Sequence, residues 1–563
     1  MTKNRDKKSE VKEENVNGGV NFKKSSNSLS NTGNVIQKAE EVLNNTTDSD
    51  KQRESNTKVL YQNKENNNNP NSVSNNQVDD KKKYIAPFLQ ITISELKSLI
   101  PNTVIFFLLT FIYSIWRNCK DSFFYELKGT IEGYEPVAAI QVSKIVSFLS
   151  TFAVLYLYTK FKPYLTRKKL FNSALFIYLT LLTIFLFILH NRKEYYLLEL
   201  FSEVASNKSR FINVFAAIVV WPIVIFYVFA ELWGTFVLGI IFWMIIHVAY
   251  KKEDTGRFYP LLMIGSAVGN ILSGIVINRF SFNQNGRGFI DFEKVLPITF
   301  ISVIIILILY NYIEFSSIKE TQNEKQVNKN KEVGFIESLL FVLKRPYLLY
   351  IGGMLLGYNL YMGFLENIFK RMLSSCDTIP NCIMSSSKAL SIQAAGIGIL
   401  SLTLVFVSHL IKEYTQWKTK ALSTPYLALF GIIIFSVPVI YNYIGNNVNI
   451  YSIIVICGLV IIIPLKATKY VFFDPTKEQA YKIGTEEEKT TGKMAIDSIC
   501  SRLAKALSSI IISIFNTLFF NDGSSSQDLL WLFLSLLACL IFLVSVYRLI
   551  PLYQNKDKNT PTP

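Results

Sequence analysis

From about residue 99 onward, apolar runs of roughly 20 residues recur, each closed by a short polar or basic segment. Roughly 20 residues is the length at which an α-helix crosses a hydrocarbon core about 30 Å thick. The pattern predicts about twelve spans, near 99–120, 136–159, 170–190, 222–250, 258–279, 295–314, 346–369, 389–411, 424–443, 448–473, 494–520 and 528–550. The fourth is ambiguous, because residues 211 to 250 form one apolar stretch broken at Trp221 and Pro222. Two short spans would fit it, and so would one long span preceded by an interfacial helix. Residues 1 to 83 follow no such period; they are rich in Asn, Ser, Lys and Glu ("NKENNNNPNSVSNNQ") and nearly free of aromatics. Such a segment buries too little apolar surface to offset ordering entropy, so a disordered tail is expected. It has no apolar run of a secretory signal, and its acidic residues argue against a transit peptide.

Composition narrows the class. Half of the 563 residues are apolar, 14% are aromatic and only 18% charged. A soluble chain of this length would carry more charge, and a polytopic membrane protein is expected. The net charge of +16 raises nucleic acid as a partner, but the basic residues fall between the apolar runs and form no patch. No nucleic acid is expected. The loops after even-numbered spans hold roughly 21 Lys and Arg against about 9 after odd-numbered ones, which predicts cytoplasmic N- and C-termini. Six cysteines, several inside apolar runs, suggest neither a disulfide framework nor a metal site. Cys376 and Cys382 share one loop; they can pair if it faces an oxidising space, and are otherwise free thiols. There is no phosphate-binding P-loop, catalytic triad or metal set, so no enzyme chemistry and no cofactor are expected.

The two halves of the chain resemble each other. "YVFAE" (Tyr227 to Glu231) has a counterpart in "YVFFD" (Tyr470 to Asp474), and each is followed by a charged loop ending in "TGR" or "TTGK". "FLLTFIYSIWRNCKD" of the first span aligns with "MLLGYNLYMGFLENI" of the seventh. Spans 1 and 7, 4 and 10, and 5 and 11 thus correspond. The expected fold is all-α and polytopic, with two pseudo-symmetric six-helix halves on the major-facilitator plan. The halves would occupy 84–314 and 346–553, joined by a cytoplasmic linker at 315–345, with short tails at 1–83 and 554–563.

Against this apolar background the charges inside spans stand out: Arg117, Lys120 and Asp121 in the first, Lys144 in the second, Glu231 in the fourth, Glu366 in the seventh, Lys466, Lys469 and Asp474 in the tenth, and Asp497, Arg502 and Lys505 in the eleventh. On insertion scales each costs about 2.5 to 3.5 kcal/mol at a helix centre unless it faces water or a partner. Arg117, Lys120 and Asp121 also suit interfacial anchors at a helix end. Asp497, Arg502 and Lys505 are spaced to share one face of a regular helix. A cavity with several cations and a few carboxylates fits a polyanion better than a neutral solute.

Five segments, "RNCKD", "FYVFAELWGTFVLGIIFW", "GRFYPLLMIGSAVGNILSG", "FFDPTKEQAY" and "GKMAIDSICSRLAKALSS", resemble the ATP/ADP translocases, the nucleotide transporters of plastids, obligate intracellular bacteria and microsporidian parasites. The resemblance covers about residues 95 to 550 and is nearest to a microsporidian member. It implies a carrier that exchanges ATP for ADP, and possible GTP and GDP carriage, with Lys120, Glu231, Glu366 and Lys505 as functional charges. Arg117, Asp121, Asn270, Asp474, Asp497 and Arg502 complete the candidate substrate-binding set. In the family the last motif is commonly "RLGKSGGS"; here Ala504 and Ala506-Leu507 replace glycine and small residues, which bears on substrate preference. A monomer in a parasite's plasma membrane is expected. A one-way or proton-coupled nucleotide symporter, or a nontransporting scaffold whose tail binds partners, are the competing readings.

Overall fold

The computed structural model describes residues 84–559, with breaks at 87–90, 129–133, 162–163, 198, 200–211, 251–254, 285–286, 318–334, 378–381, 383, 411–415, 446–449, 483, 486–487, 489–491, 494 and 519–525. The expected tail at 1–83 and much of the expected linker lie outside the described residues.

Among the described residues twelve helices are long and apolar enough to cross a membrane: α1 (Leu99–Glu126), α2 (Pro136–Tyr158), α3 (Arg167–Ile188), α4 (Trp221–Ile246), α5 (Leu262–Arg279), α6 (Phe292–Tyr312), α7 (Pro346–Cys376), α8 (Ser386–Ser408), α9 (Trp417–Gly445), α10 (Ile450–Tyr481), α11 (Ala495–Leu518) and α12 (Ser526–Lys556). With twelve crossings the start of α1 and the end of α12 lie on one side, called here the terminal face; the opposite side is the far face. The ambiguous stretch is one span with a helix before it: Ile212–Val219 is separate, the chain breaks at Val220, and Pro222 sits in the first turn of α4, where its missing N–H is not needed. Large apolar side chains such as Phe176, Ile308, Val437, Ile444 and Val460 remain exposed on the outer faces. In water that belt would be a liability, and in lipid it is the solvated surface.

Each half is built on buried aromatics and on backbones that touch. Trp116 of α1 packs against Phe229 and Trp233 of α4 at ring separations of 4.7 and 4.9 Å. Their ring N–H groups are satisfied: Trp116 donates to Thr299 Oγ1 at 3.0 Å and Trp233 to the Leu109 carbonyl at 3.2 Å. In the second half Trp531 of α12 stacks on Phe364 of α7.

The halves meet along two helix pairs, α5 with α8 and α2 with α11. The correspondence of spans 5 and 11 makes these two contacts equivalent by the internal repeat. At the first, Gly274 lies so close that an added Cβ would stand 2.7 Å from the Ala395 nitrogen and 2.7 Å from the Ser391 carbonyl oxygen. Small residues allow such approaches where lipid supplies no hydrophobic drive between helices. A hairpin, Ser281–Gln284 paired antiparallel with Arg287–Ile290, joins α5 to α6 on the far face, and its second strand also touches α8. On the same face a disulfide links Cys376 to Cys382, with their Cα atoms 5.5 Å apart.

Within the second half, Gly357 makes a comparable approach: a Cβ there would lie 2.7 Å from the backbone nitrogen of Phe542 in α12. At Gly352, on the same helix, the nearest atom would be 3.8 Å away. Gly357→Val is expected to destabilise the detergent-purified protein by about 1–3 kcal/mol, read as a lowered thermal midpoint. Gly352→Ala should leave that midpoint nearly unchanged.

Candidate functional site

The sequence dictates three local arrangements around the centre of the bundle. In "ELWG", Trp233 goes to the aromatic core and Gly234 leaves room for the Tyr113 ring, so Glu231 is turned to the interior. From Trp233 to Phe242 the helix takes up π-helical hydrogen bonding. The repeat-related helix α10 does the same from Lys469 to Phe473, and α11 begins with a π-helical turn from Ala495 to Cys500. Such wide turns are rare and concentrate where side chains must be re-aimed.

These helices line a cavity of about 200 Å³ to which both halves contribute. Eight cations line it: Arg117, Lys120, Lys144, Lys370, Lys466, Lys469, Arg502 and Lys505. Three carboxylates accompany them, Asp121, Glu231 and Glu366. Tyr113, Tyr227, Tyr358, Tyr470, Phe148 and Phe369 supply aromatic surface.

The carboxylates are shared out among the cations. Lys120 Nζ lies 3.0 Å from Glu231 Oε1 and 3.5 Å from Asp121 Oδ1, and it sits over the Tyr227 ring at 3.5 Å from the centroid. Lys370 holds the other oxygen of Asp121 at 2.7 Å, and Arg502 approaches the second oxygen of Glu231 at 3.9 Å. Glu366 pairs with Lys466 at 2.6 Å. Lys120, Asp121 and Lys370 are all buried, so their charges persist only because each meets an opposite charge. Arg117, Lys144 and Lys505 have no carboxylate within 4.0 Å among the described residues: Arg117 faces the Tyr113 ring, Lys144 donates to the Gln141 side-chain oxygen at 3.3 Å, and Lys505 is exposed to the cavity.

Seven of the ten candidates named from sequence come together here: Arg117, Lys120, Asp121, Glu231, Glu366, Arg502 and Lys505. Three lie elsewhere. Asn270 is buried in α5 and donates to the Ser266 carbonyl. Asp474 pairs with Lys469 at 2.7 Å but does not line the cavity. Asp497 binds Lys477 at 2.6 Å, alongside the Lys493–Glu478 pair at 2.5 Å. "DPTKE" therefore ties the terminal-face end of α10 to the start of α11. The regular-helix spacing that grouped Asp497 with Arg502 and Lys505 fails because the π-helical turn between them changes the register.

Four cavity cations lie outside the candidate set: Lys144, Lys466 and Lys469, which the sequence marks only as charges within spans, and Lys370, which it does not mark at all. Ending the seventh span at 369 left it just outside, whereas α7 continues to Cys376. The available signal was its position four residues after Glu366, on the same helix face.

Comparison with known proteins places these features in a family. The model of the TLC ATP/ADP transporter family matches residues 74–553. The chain is 26% identical over 455 residues to "ADP,ATP carrier protein 1, chloroplastic" of Arabidopsis thaliana, covering 75% of this chain and 68% of that one. It is 26% identical over 481 residues to "ADP,ATP carrier protein 1" of Chlamydia pneumoniae, covering 82% and 92%, and 25% identical over 456 residues to "ADP,ATP carrier protein 3" of Rickettsia typhi, covering 75% and 87%. Among solved structures, the nucleoside transporter NupG aligns over 80% of this chain and 99% of its own at 14% identity, with a TM-score of 0.47. With a match spanning nearly the whole helical region, the chain belongs to the TLC ATP/ADP transporter family.

Proposed function

We propose that this protein exchanges ATP for ADP across a membrane by alternating access, with the polyphosphate held in the central cavity. The observation that carries the reading is the imbalance of eight cations against three carboxylates in one space lined by both halves. A nucleotide polyphosphate brings the missing negative charge. Arg117, Lys144 and Lys505 are its first partners, because binding them breaks no ion pair. Lys120 and Arg502 are recruited from Glu231, and Lys466 from Glu366. Guanidinium groups offer forked contacts and lysines point charges to phosphate oxygens. The relatives' names point to ATP and ADP as the substrates; carriage of GTP and GDP extends the same chemistry and rests on the polyphosphate alone.

Exchange follows from electrostatics. Reorienting an empty cavity would carry uncompensated cations through a low-dielectric closed state, and a bound polyanion removes that barrier. Each lining carboxylate is engaged by a cation, so nothing here favours a proton-coupled symporter. ATP-for-ADP exchange moves about one net charge, so a potential of 100 mV biases it by about 2.3 kcal/mol.

The ion pairs also connect the site to the closure between the halves. Arg502, Glu231, Lys120, Asp121 and Lys370 form a chain in which each meets the next within 3.9 Å, ending in a pair between α1 and α7 near the far face. Gln141 of α2 donates to Asn367 of α7 at 2.7 Å beside it. These contacts hold the far side shut, and we take the terminal face as the open side. A phosphate that draws on Lys120 competes with Asp121 for it and so alters the closing pair. The far-face disulfide and the Lys/Arg bias of the loops both favour cytoplasmic termini, and a plasma-membrane monomer is the simplest arrangement.

Three measurements check this. Proteoliposomes loaded with ADP should take up labelled ATP far faster than empty ones, and equal uptake would sink the exchange reading. Lys505→Gln should raise the KM for ATP roughly tenfold to a hundredfold, the worth of one charge-assisted contact of about 1.5–3 kcal/mol, with folding unchanged. Asp121→Asn and Lys370→Gln should each slow exchange and lower the thermal midpoint, since either strands a buried charge. The double variant should lose less than the sum of the two; strictly additive losses would show that the pair does not act as a unit.

A further inference from the structure

A second cavity lies on the terminal face, away from the central one, where the start of α7 meets the end of α12 and the α10–α11 connection. Lys344, Arg345 and Lys556 contribute three cations, with Glu488 as the carboxylate, while Tyr347 and Leu552 form its apolar wall. Nothing in the exchange reading uses it.

Its construction is specific. Lys556 Nζ stands 2.6 Å from Glu488 Oε2 and over the Tyr347 ring at 4.2 Å from the centroid. The Tyr347 hydroxyl donates to the buried Ala480 carbonyl at 2.7 Å, which fixes the ring. The Thr485 N–H donates to the same Glu488 oxygen at 2.8 Å. Burial works against the Glu488 charge, yet the Lys556 ammonium and the Thr485 N–H hold its carboxyl below the usual range. A buried carboxylate is therefore already seated as an anion among these groups. Arg345 lies over the Phe341 ring at 4.0 Å, and Lys344 is exposed at the mouth.

The surroundings say what kind of anion the mouth takes. A short helix, Phe335–Leu343, runs directly into Lys344 and Arg345, and its Leu340 and Leu343 are 47% and 53% exposed; Leu349, one turn into α7, is 41% exposed. A free inorganic phosphate has no use for exposed leucines on the turns either side of Lys344 and Arg345. A molecule with a phosphate at one end and hydrocarbon at the other fits both parts, and basic pockets at the cytoplasmic ends of membrane helices are suited to such headgroups. We propose that this cavity is a binding site for one anionic glycerophospholipid of the terminal-face leaflet, its phosphate held by Lys344 and Arg345 with Lys556 behind them and its chains lying over Leu340, Leu343 and Leu349.

The test uses the full-length protein purified in detergent and mixed with equal amounts of phosphatidylglycerol and phosphatidylcholine, with retained lipid read by native mass spectrometry. Wild type is expected to retain phosphatidylglycerol preferentially. Lys344→Gln combined with Arg345→Gln should lower that retention about tenfold or more, while Lys344→Arg keeps it. Exchange by the double variant in pure phosphatidylcholine vesicles should match wild type, which separates this site from the central one and reports folding. Equal retention of phosphatidylglycerol by wild type and double variant would overturn the proposal. So would protection against thermal unfolding by inorganic phosphate alone, lost in the double variant, with no preferential lipid retention; that result would assign the pocket to free phosphate.

Discussion

Everything in this molecule answers to the difficulty of keeping eight cations inside an apolar slab. A lysine or arginine at the centre of a span costs about 2.5 to 3.5 kcal/mol on insertion scales, and a buried cation without a partner costs more. The protein meets this in graded ways. Lys120 and Lys370 are buried and carboxylate-bound, Lys466 is nearly buried against Glu366, and Lys505 is exposed to the cavity. Tyr227 adds a ring face to Lys120, a contact of about 2 kcal/mol where water is excluded. The gradation matters for transport, because a cavity with every cation neutralised would have no affinity for a polyanion, and one with none neutralised would not insert.

Packing serves the same end. The aromatic core around Trp116 and Trp233 holds α1 against α4 and so fixes Lys120 relative to Glu231. Between the halves the contact relies on small residues: at Gly274 the backbones of α5 and α8 approach so closely that an added Cβ would meet the Ala395 nitrogen and the Ser391 carbonyl oxygen. Close backbone approach at small residues is how membrane helices pack where lipid supplies no hydrophobic drive.

The sequence showed the twelve spans, the two-fold repeat and most of the cavity charges, because apolar length and an intramembrane charge are local signals that one stretch carries by itself. Span ends were harder to place. The expected first and seventh spans stop at 120 and 369, next to Asp121 and Lys370, yet α1 and α7 run on to Glu126 and Cys376. The charges that seem to end a helix are here the reason it continues, since Asp121 and Lys370 satisfy each other across the interface. Partner choice was the least legible. Glu366 takes Lys466, a residue of another helix, and no spacing within α7 announces that. Asp497 departs from the expected face because a π-helical turn interrupts the regular period there.

The π-helical turns tie these themes together. They occur in α4 and in its repeat partner α10, beside Glu231 in one and at Lys469 and Tyr470 in the other, so the irregularity belongs to the duplicated unit and not to one local accident. A π-turn widens the helix and weakens its hydrogen-bond ladder, which an apolar span accepts only for a return. Here the return is orientation: the cavity side of each helix presents a charged or phenolic group where a regular helix would rotate the next residues toward lipid. Under the exchange proposed above, the same irregular ladder would let α4 and α10 adjust as an anion draws on the cations at Glu231 and Asp474. Ion pairing and helix geometry would then be coupled, and duplication supplies a copy of that irregularity to each half.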